Sequence, residues 1–346
     1  MSGFFIHASA YLSRFFCCIY RKLVLPMKKI IVLHTGGTIS MSENKETGEV
    51  SPEAEHPLKN MARELGLNAL IEEHVIFDLP SPQMTPSHML TLAKEISRLE
   101  QKADGFVITH GTDTLEETAY FLDLVLGLKK PVVLTGAMRS SNELGSDALF
   151  NLQSALKTAL DETSWDQGVL VVMNGEIHGA REVVKTSSIS LDAFKSTYGP
   201  LGHVLRDQVI YHKKLARTQP LRTASLSKHV HLLKVYAGMD SSLLDAVRQT
   251  NPDGLILEAF GQGNVPENLV PALARYLDAG IPIILASRCL HSFVLPTYSY
   301  PGGGRQLKDM GLIFASGLSG PKARLKLMLL LETANSIAEL QAGFTH

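Results

Sequence analysis

Lys28-Lys29-Ile30-Ile31-Val32-Leu33-His34-Thr35-Gly36-Gly37-Thr38-Ile39 has the texture of a buried strand that runs into a glycine turn. Its first half is β-branched and continuously apolar, as in a parallel strand covered on both faces. Gly36-Gly37 then allows a sharp turn and a close approach by another group. Thr35 and Thr38 bracket the glycines, gathering hydroxyls and backbone N–H groups at the strand's carboxyl end, the edge where open α/β sheets bind ligands. The same residues also fit a plain strand-to-loop turn. No Gly-Lys-Ser/Thr follows, so the stretch is not a P-loop, and its glycine spacing is not the dinucleotide fingerprint.

Outward from this stretch the strand–turn–helix pattern repeats. A strand over 104–109 leads into His110-Gly111-Thr112-Asp113-Thr114 and a helix over 115–126, with Gly127 as its stop. A strand over 131–135 leads into Gly136-Ala137-Met138-Arg139-Ser140-Ser141, a helix over 146–160 and a strand over 168–173. Between the first stretch and these units lie a polar segment from Ser40 to Pro57, fit for a hairpin or lid, and a short helix from Pro57 to Leu65. A strand over 74–79 and a stiff loop over 80–86 follow, with Pro86 opening a helix that runs to Gln101. Strands alternating with helices predict a mostly parallel sheet with helices on both faces. Right-handed crossovers would set the turns 34–38, 80–84, 110–113 and 136–140 along one crevice. Residues 177–211 shift to short alternating segments, a β-hairpin extension. A second strand–helix array starts at Val230 and ends in a helix over 321–341. The expected fold is therefore two open α/β domains, a larger one over 27–212 and a smaller one over 229–346. Residues 213–228 are the expected linker and 1–26 a dispensable extension.

With 346 residues, 45% apolar and 19% charged, the chain can bury a sizeable core. A formal net charge of −1 argues against a nucleic-acid footprint or a polybasic membrane surface. The three cysteines, Cys17, Cys18 and Cys289, are too few for a disulfide framework and form no C-x-x-C pair, which points to a reducing compartment. No apolar run is long enough to span a bilayer. The aromatic-rich stretch Phe4–Tyr20 is interrupted by His7, Ser13 and Arg14, and its charge comes late, at Arg21 and Lys22, unlike a signal peptide. No H-E-x-x-H or similar spacing occurs, so neither metal nor cofactor is expected.

The groups with chemistry sit at the strand ends. Thr38 and Thr112 each close a glycine turn, and a threonine hydroxyl becomes a nucleophile once a base or positive neighbour activates it. Asp113 follows Thr112 directly and suits either holding a substrate ammonium or orienting a base. A desolvated lysine serves as a base because burial lowers its pKa. Lys185, apolar on one side and followed by Thr186-Ser187-Ser188, fits that role or that of an ordinary surface lysine. His34 and His110 each fit a general base or a hydrogen-bonded structural group. Gly261-Gln262-Gly263-Asn264 is a further glycine-rich strand end, where Asn264 offers an amide.

Taken together, Thr35-Gly36-Gly37-Thr38-Ile39, His110-Gly111-Thr112-Asp113-Thr114, Gly136-Ala137-Met138-Arg139, Lys185-Thr186 and Tyr198-Gly199-Pro200-Leu201-Gly202 resemble the bacterial-type L-asparaginase/glutaminase family, most of all its cytoplasmic, type I-like members. The resemblance covers 27–340. It implies a larger N-terminal domain with a left-handed crossover, and hydrolysis of asparagine to aspartate and ammonia through a threonine ester. By the same resemblance Thr38, Thr112, Asp113 and Lys185 are the catalytic group, and Gly37, Ser81, Gln83, Thr112, Asp113, Ala137 and Asn264 contact the substrate. Asn264 would come from a neighbouring subunit, which implies a homodimer or homotetramer. The implied partner is a small-molecule amide, asparagine or glutamine, with no metal, cofactor, nucleic acid or membrane. The sequence departs from the pattern in three places. Ser40–Pro57 lacks the tyrosine found near the nucleophile of secreted members, leaving Tyr298 and Tyr300 as substitutes from elsewhere. Pro82 separates Ser81 from Gln83. Thr297–Arg305 has no acidic residue to match the one some members lend to a neighbour. Two other readings use the same residues: the amidase subunit of an archaeal tRNA-dependent amidotransferase, and an amino-acid-binding module without turnover.

Overall fold

The computed structural model describes residues 27–44, 47, 50–52, 65–215, 219–290, 293–315 and 317–345. The expected extension 1–26, the helix expected from Pro57 through residue 64, and half of the expected lid lie outside the described residues.

The strands of the N-terminal half are β1 (Lys29–His34), β2 (Met41–Glu43), β3 (Val50–Pro52), β4 (Leu70–Val75), β5 (Gly105–Thr109), β6 (Val132–Thr135), β7 (Val169–Met173), β8 (Glu176–Gly179), β9 (Val183–Lys185), β10 (Phe194–Ser196), β11 (Gly202–Val204) and β12 (Val209–Tyr211). Eight of them form one sheet in the order β12-β11-β8-β7-β6-β5-β1-β4. β4, β1, β5, β6 and β7 run parallel, and β8, β11 and β12 extend the sheet antiparallel. β2 pairs with β3, and β9 with β10, as separate ribbons.

The apolar runs divide by parity, as side chains on a pleated strand must. Ile31, Leu33, Phe106, Ile108, Leu134 and Val171 face the helices Pro86–Leu99 and Leu115–Val125. Ile30, Val32, Val107, Val133 and Leu170 face the helix Ala148–Leu160 on the other side. This arrangement fixes a handedness relation. The steps β5 to β6 and β6 to β7 move the same way across the sheet, yet their helices cover opposite faces. The two crossovers therefore have opposite hands and one is left-handed. That corrects the expectation of uniformly right-handed crossovers and agrees with the resemblance. The parallel strand direction alone keeps the turns on one edge.

The strand expected over 74–79 is displaced: β4 ends at Val75. Residues 76–79 instead wrap the end of β1, with Ile76 N–H on His34 O and Leu79 N–H on Thr35 O. β4 is an edge strand, only partly buried, and it pairs Glu72 with Lys29 in an ion pair. Such a strand carries polar residues, so the apolar run after it was the misleading signal.

The C-terminal half forms a parallel sheet of β13 (Val230–Lys234), β14 (Gly254–Ala259), β15 (Ile283–Ser287) and β16 (Ile313–Phe314). Helices Ser242–Gln249 and Val270–Asp278 cover one face, and Gly320–Thr333 and Ile337–Thr345 the other. The single helix expected over 321–341 is thus two, with a break after Thr333. The second face shares its core with the N-terminal half, since Met84, Met89, Leu90, Tyr120, Phe121 and Leu124 pack in one cluster with Ile256, Ile284, Ala323 and Leu327. The expected linker adheres to this junction: Leu221 N–H donates to Leu124 O, and Leu221 and Leu226 pack on the shared core. Among the described residues no helix is long and apolar enough to cross a membrane.

Candidate active site

Four strand-end turns meet through glycine. A Cβ built on Gly36 would lie 2.4 Å from Leu79 N, one on Gly37 2.2 Å from Gly111 Cα, one on Gly111 2.7 Å from Ser81 Cβ, and one on Gly136 2.6 Å from His110 O. Gly36, Gly37 and Gly136 meet backbone and Gly111 meets the Ser81 side chain, so no added side chain fits at any of them. Gly36 and Gly37 also have φ of +95° and +87°, a region that glycine enters freely. The Gly37–Gly111 contact brings together the two turns that carry Thr38 and Thr112.

Thr38 opens a one-turn 3-10 helix over Thr38–Ser40 and is half-buried, while Ile39 and Ser40 are buried. β2 follows directly, and its Met41 carbonyl accepts both the N–H and the hydroxyl of Ser141, at 3.2 and 3.0 Å. The base of the expected lid is thereby docked on the 136–141 turn.

Thr112 is 6% exposed and its hydroxyl accepts a hydrogen bond from Lys185 Nζ at 2.8 Å. The same ammonium lies 2.7 Å from Asp113 Oδ1. Lys185 arrives on the β9–β10 ribbon, and its backbone N–H donates to the carboxylate of Glu116 in the first turn of the helix Leu115–Val125. Burial raises the pKa of Glu116, and the cations Lys322 and Lys185 oppose that rise. Ser81 is buried; its hydroxyl accepts Asp113 N–H at 3.2 Å and its carbonyl accepts the Thr114 hydroxyl at 2.8 Å. Two residues on, Gln83 is exposed at the end of the Ser81–Gln83 3-10 turn.

Ala137 is buried in a turn pinned by one carboxylate. Asp147 accepts the N–H groups of Met138 and Arg139 at 3.1 Å, and Asn151 Nδ2 donates to Asp147 at 2.8 Å and to Gly136 O at 3.0 Å. Sequence reasoning passed over Asp147; a carboxylate just ahead of a helix was the available signal.

The two histidines take the structural reading. His110 Nδ1 faces Gly111 O at 2.8 Å, and since a carbonyl only accepts, Nδ1 carries the hydrogen. Nε2 therefore accepts the Thr118 hydroxyl at 2.9 Å. His110 is fully buried, which pushes its pKa down to about 4 and keeps it neutral. His34 is also buried, with Nδ1 on Thr109 Oγ1 at 2.8 Å and Nε2 toward Glu73.

Three expected residues lie apart from this group in the described contacts. Asn264 Oδ1 accepts Gly304 N–H at 3.2 Å, and its backbone pairs with Phe260, all within the C-terminal half. Tyr298 and Tyr300 pack their rings on one another, with centroids 5.6 Å apart, and both are exposed. Among the described residues no group of three or more His, Cys, Asp or Glu side chains is arranged to hold a metal.

This arrangement sets a lysine where its amine can exchange a proton with one threonine hydroxyl, beside an exposed carboxylate. Residues 29–217 match the family described as "Asparaginase, N-terminal", and residues 229–344 match "Glutaminase/Asparaginase C-terminal domain". The chain is 37% identical over 323 residues to a probable L-asparaginase of Deinococcus radiodurans, covering 92% of this chain and 98% of that protein. It is 35% identical over 338 residues to L-asparaginase 2 of Escherichia coli (strain K12), covering 92% and 93%. The crystal structure of a probable cytoplasmic L-asparaginase from Campylobacter jejuni superposes with a TM-score of 0.81 at 31% identity, covering 92% of this chain and 99% of that one. With both halves matched in order and the strand-end turns assembled as the motifs require, the chain belongs to the asparaginase/glutaminase family.

Proposed function

We propose that this protein hydrolyses L-asparagine to L-aspartate and ammonia through a threonine ester. The observation that carries the reading is Lys185 Nζ, held 2.8 Å from Thr112 Oγ1 and 2.7 Å from Asp113 Oδ1 beside the Gly37–Gly111 contact. Thr38 Oγ1 attacks the side-chain amide carbon, and the C–N bond breaks as the nitrogen takes up a proton and leaves as ammonia. Thr112 and Lys185 handle that proton, then orient the water that opens the ester and returns the proton to Thr38. Backbone N–H groups near Gly37 and Thr112 stabilise the oxyanion. Asp113 and Ser81 hold the ammonium and carboxylate ends of the substrate, and Gln83 and Ala137 complete the pocket. Asn264 serves a neighbouring subunit's site in a homodimer or homotetramer. The working compartment is the cytoplasm, and the chain divides at 213–228 into domains 27–212 and 229–346.

Ammonia release by the purified full chain tests the reading. Asparagine turnover should exceed glutamine turnover, and Thr38→Ala and Thr112→Val should each lower kcat by at least about 10³-fold. Tight asparagine binding without ammonia release would replace the enzyme reading by an amino-acid-binding module.

A further inference from the structure

The helix Gly320–Thr333 belongs to the C-terminal half, yet its Lys322 acts in the N-terminal one. Lys322 is fully buried, and its ammonium donates to the carbonyls of Ala180 at 3.0 Å, Arg181 at 3.2 Å and Val183. An ammonium has three N–H bonds, so these carbonyls take its whole donor capacity. It also lies 5.9 Å over the Tyr120 ring, on the helix that carries Glu116. Burial lowers the pKa of Lys322 to about 8, with Glu116 and Glu117 opposing the drop, so the charge persists at neutral pH.

Ala180 and Arg181 lie in the turn that enters β9, Val183 is the first residue of that strand, and β9 ends at Lys185. The strand is therefore clamped twice: at Val183 by Lys322, and at Lys185 by the Glu116 carboxylate on its backbone N–H. Lys322 and Glu116 also attract one another, which couples the two clamps. A buried lysine is expensive to keep when a methionine would fill the space. A stability role alone would be met by packing, whereas a defined strand position needs directional bonds.

We propose that Lys322 is a positioning residue for amide hydrolysis, acting from the C-terminal half through the Val183–Lys185 strand to hold the Lys185 ammonium against Thr112 and Asp113. This rests on the reading of Lys185 as the proton-handling lysine. A displacement of about 1 Å at a reacting group costs on the order of 10²-fold in rate.

The test is steady-state ammonia release by folded full-length variants, below their melting temperatures. Lys322→Met should lower kcat about 10- to 100-fold with KM within about threefold of the parent. Glu116→Leu, which removes the acceptor, should lower it in the same sense, and the double variant should lose little more than the worse single one, because both hold one strand. A lowered melting temperature with unchanged kcat and KM in Lys322→Met would overturn the proposal. Should Lys322→Met fail to fold, a parental kcat in Glu116→Leu overturns it equally. Lys185→Met separates the two readings. If that variant still turns over asparagine, the assignment of Lys185 itself fails; if it is inactive while Lys322→Met matches the parent, only the positioning role fails.

Discussion

An alanine at position 37 would bring its Cβ within 2.2 Å of Gly111 Cα, at a backbone φ of +87° that side chains rarely adopt. Gly37→Ala should therefore destabilise the fold by more than about 2 kcal/mol and abolish turnover. Gly66→Ala is the control: φ is +67° there, but nothing lies within 4 Å, so it should cost only about 1 kcal/mol and spare activity. Chemical denaturation beside ammonia release distinguishes them. Lys185→Arg should not rescue the loss in Lys185→Met, because a planar guanidinium cannot replace a compact ammonium that meets Thr112 and Asp113 together and gives up its proton. Its kcat should stay at least about 10²-fold below the parent. At this scale the glycine turns marked Thr38, Thr112 and Asp113 as candidates, and the family resemblance singled them out. The partner of Thr112 was not, since Lys185 lies 73 residues away in sequence.

The helix after the 136–141 turn and the strand-end histidines show how elements carry the site. Asp147 precedes the helix Ala148–Leu160 and accepts two backbone N–H groups of the turn that holds Ala137. Asp147→Ala leaves those donors buried without partners and should cost about 2–3 kcal/mol, read from denaturant midpoints. Its KM for asparagine should rise as the Ala137 turn loosens. A pH dependence also belongs to this scale. His110 and His178 are buried, and desolvation holds both near a pKa of about 4 against an ordinary 6.5. Between those values the unfolded chain binds more protons than the folded one, so stability is complete above pH 6.5 and declines as pH falls. At pH 5 each histidine removes about 2 kcal/mol. Glu116 and Glu117, whose pKa values burial raises, act in the opposite direction. The melting temperature should fall between pH 7 and pH 5, and His110→Asn should fall less steeply across the same range.

The shared core makes the two halves interdependent. Phe121 is fully exposed to packing and not to solvent, lying in the cluster that joins the helix Leu115–Val125 to β14, β15 and the helix Gly320–Thr333. Phe121→Ala should cost about 3–5 kcal/mol. Calorimetry should show one lowered transition rather than the selective loss of one half, because the cavity opens in a core that both halves use. Two separated transitions in the parent would contradict that coupling.

The chain's order of strands and glycine turns and its two-part α/β architecture follow from the sequence alone, because parallel buried strands need continuous apolar runs and sharp turns need glycine. The hand of the crossovers, the wrap of residues 76–79 around β1, and the encounter of Lys185 with Thr112 were decided only by tertiary structure. Each depends on which face a helix covers or which distant ribbon reaches the crevice, and local periodicity carries no information about either. The same holds for Lys322: its charge, unusual on an otherwise buried helix face, is visible in the sequence, but its partners are carbonyls, which no side-chain pattern reveals.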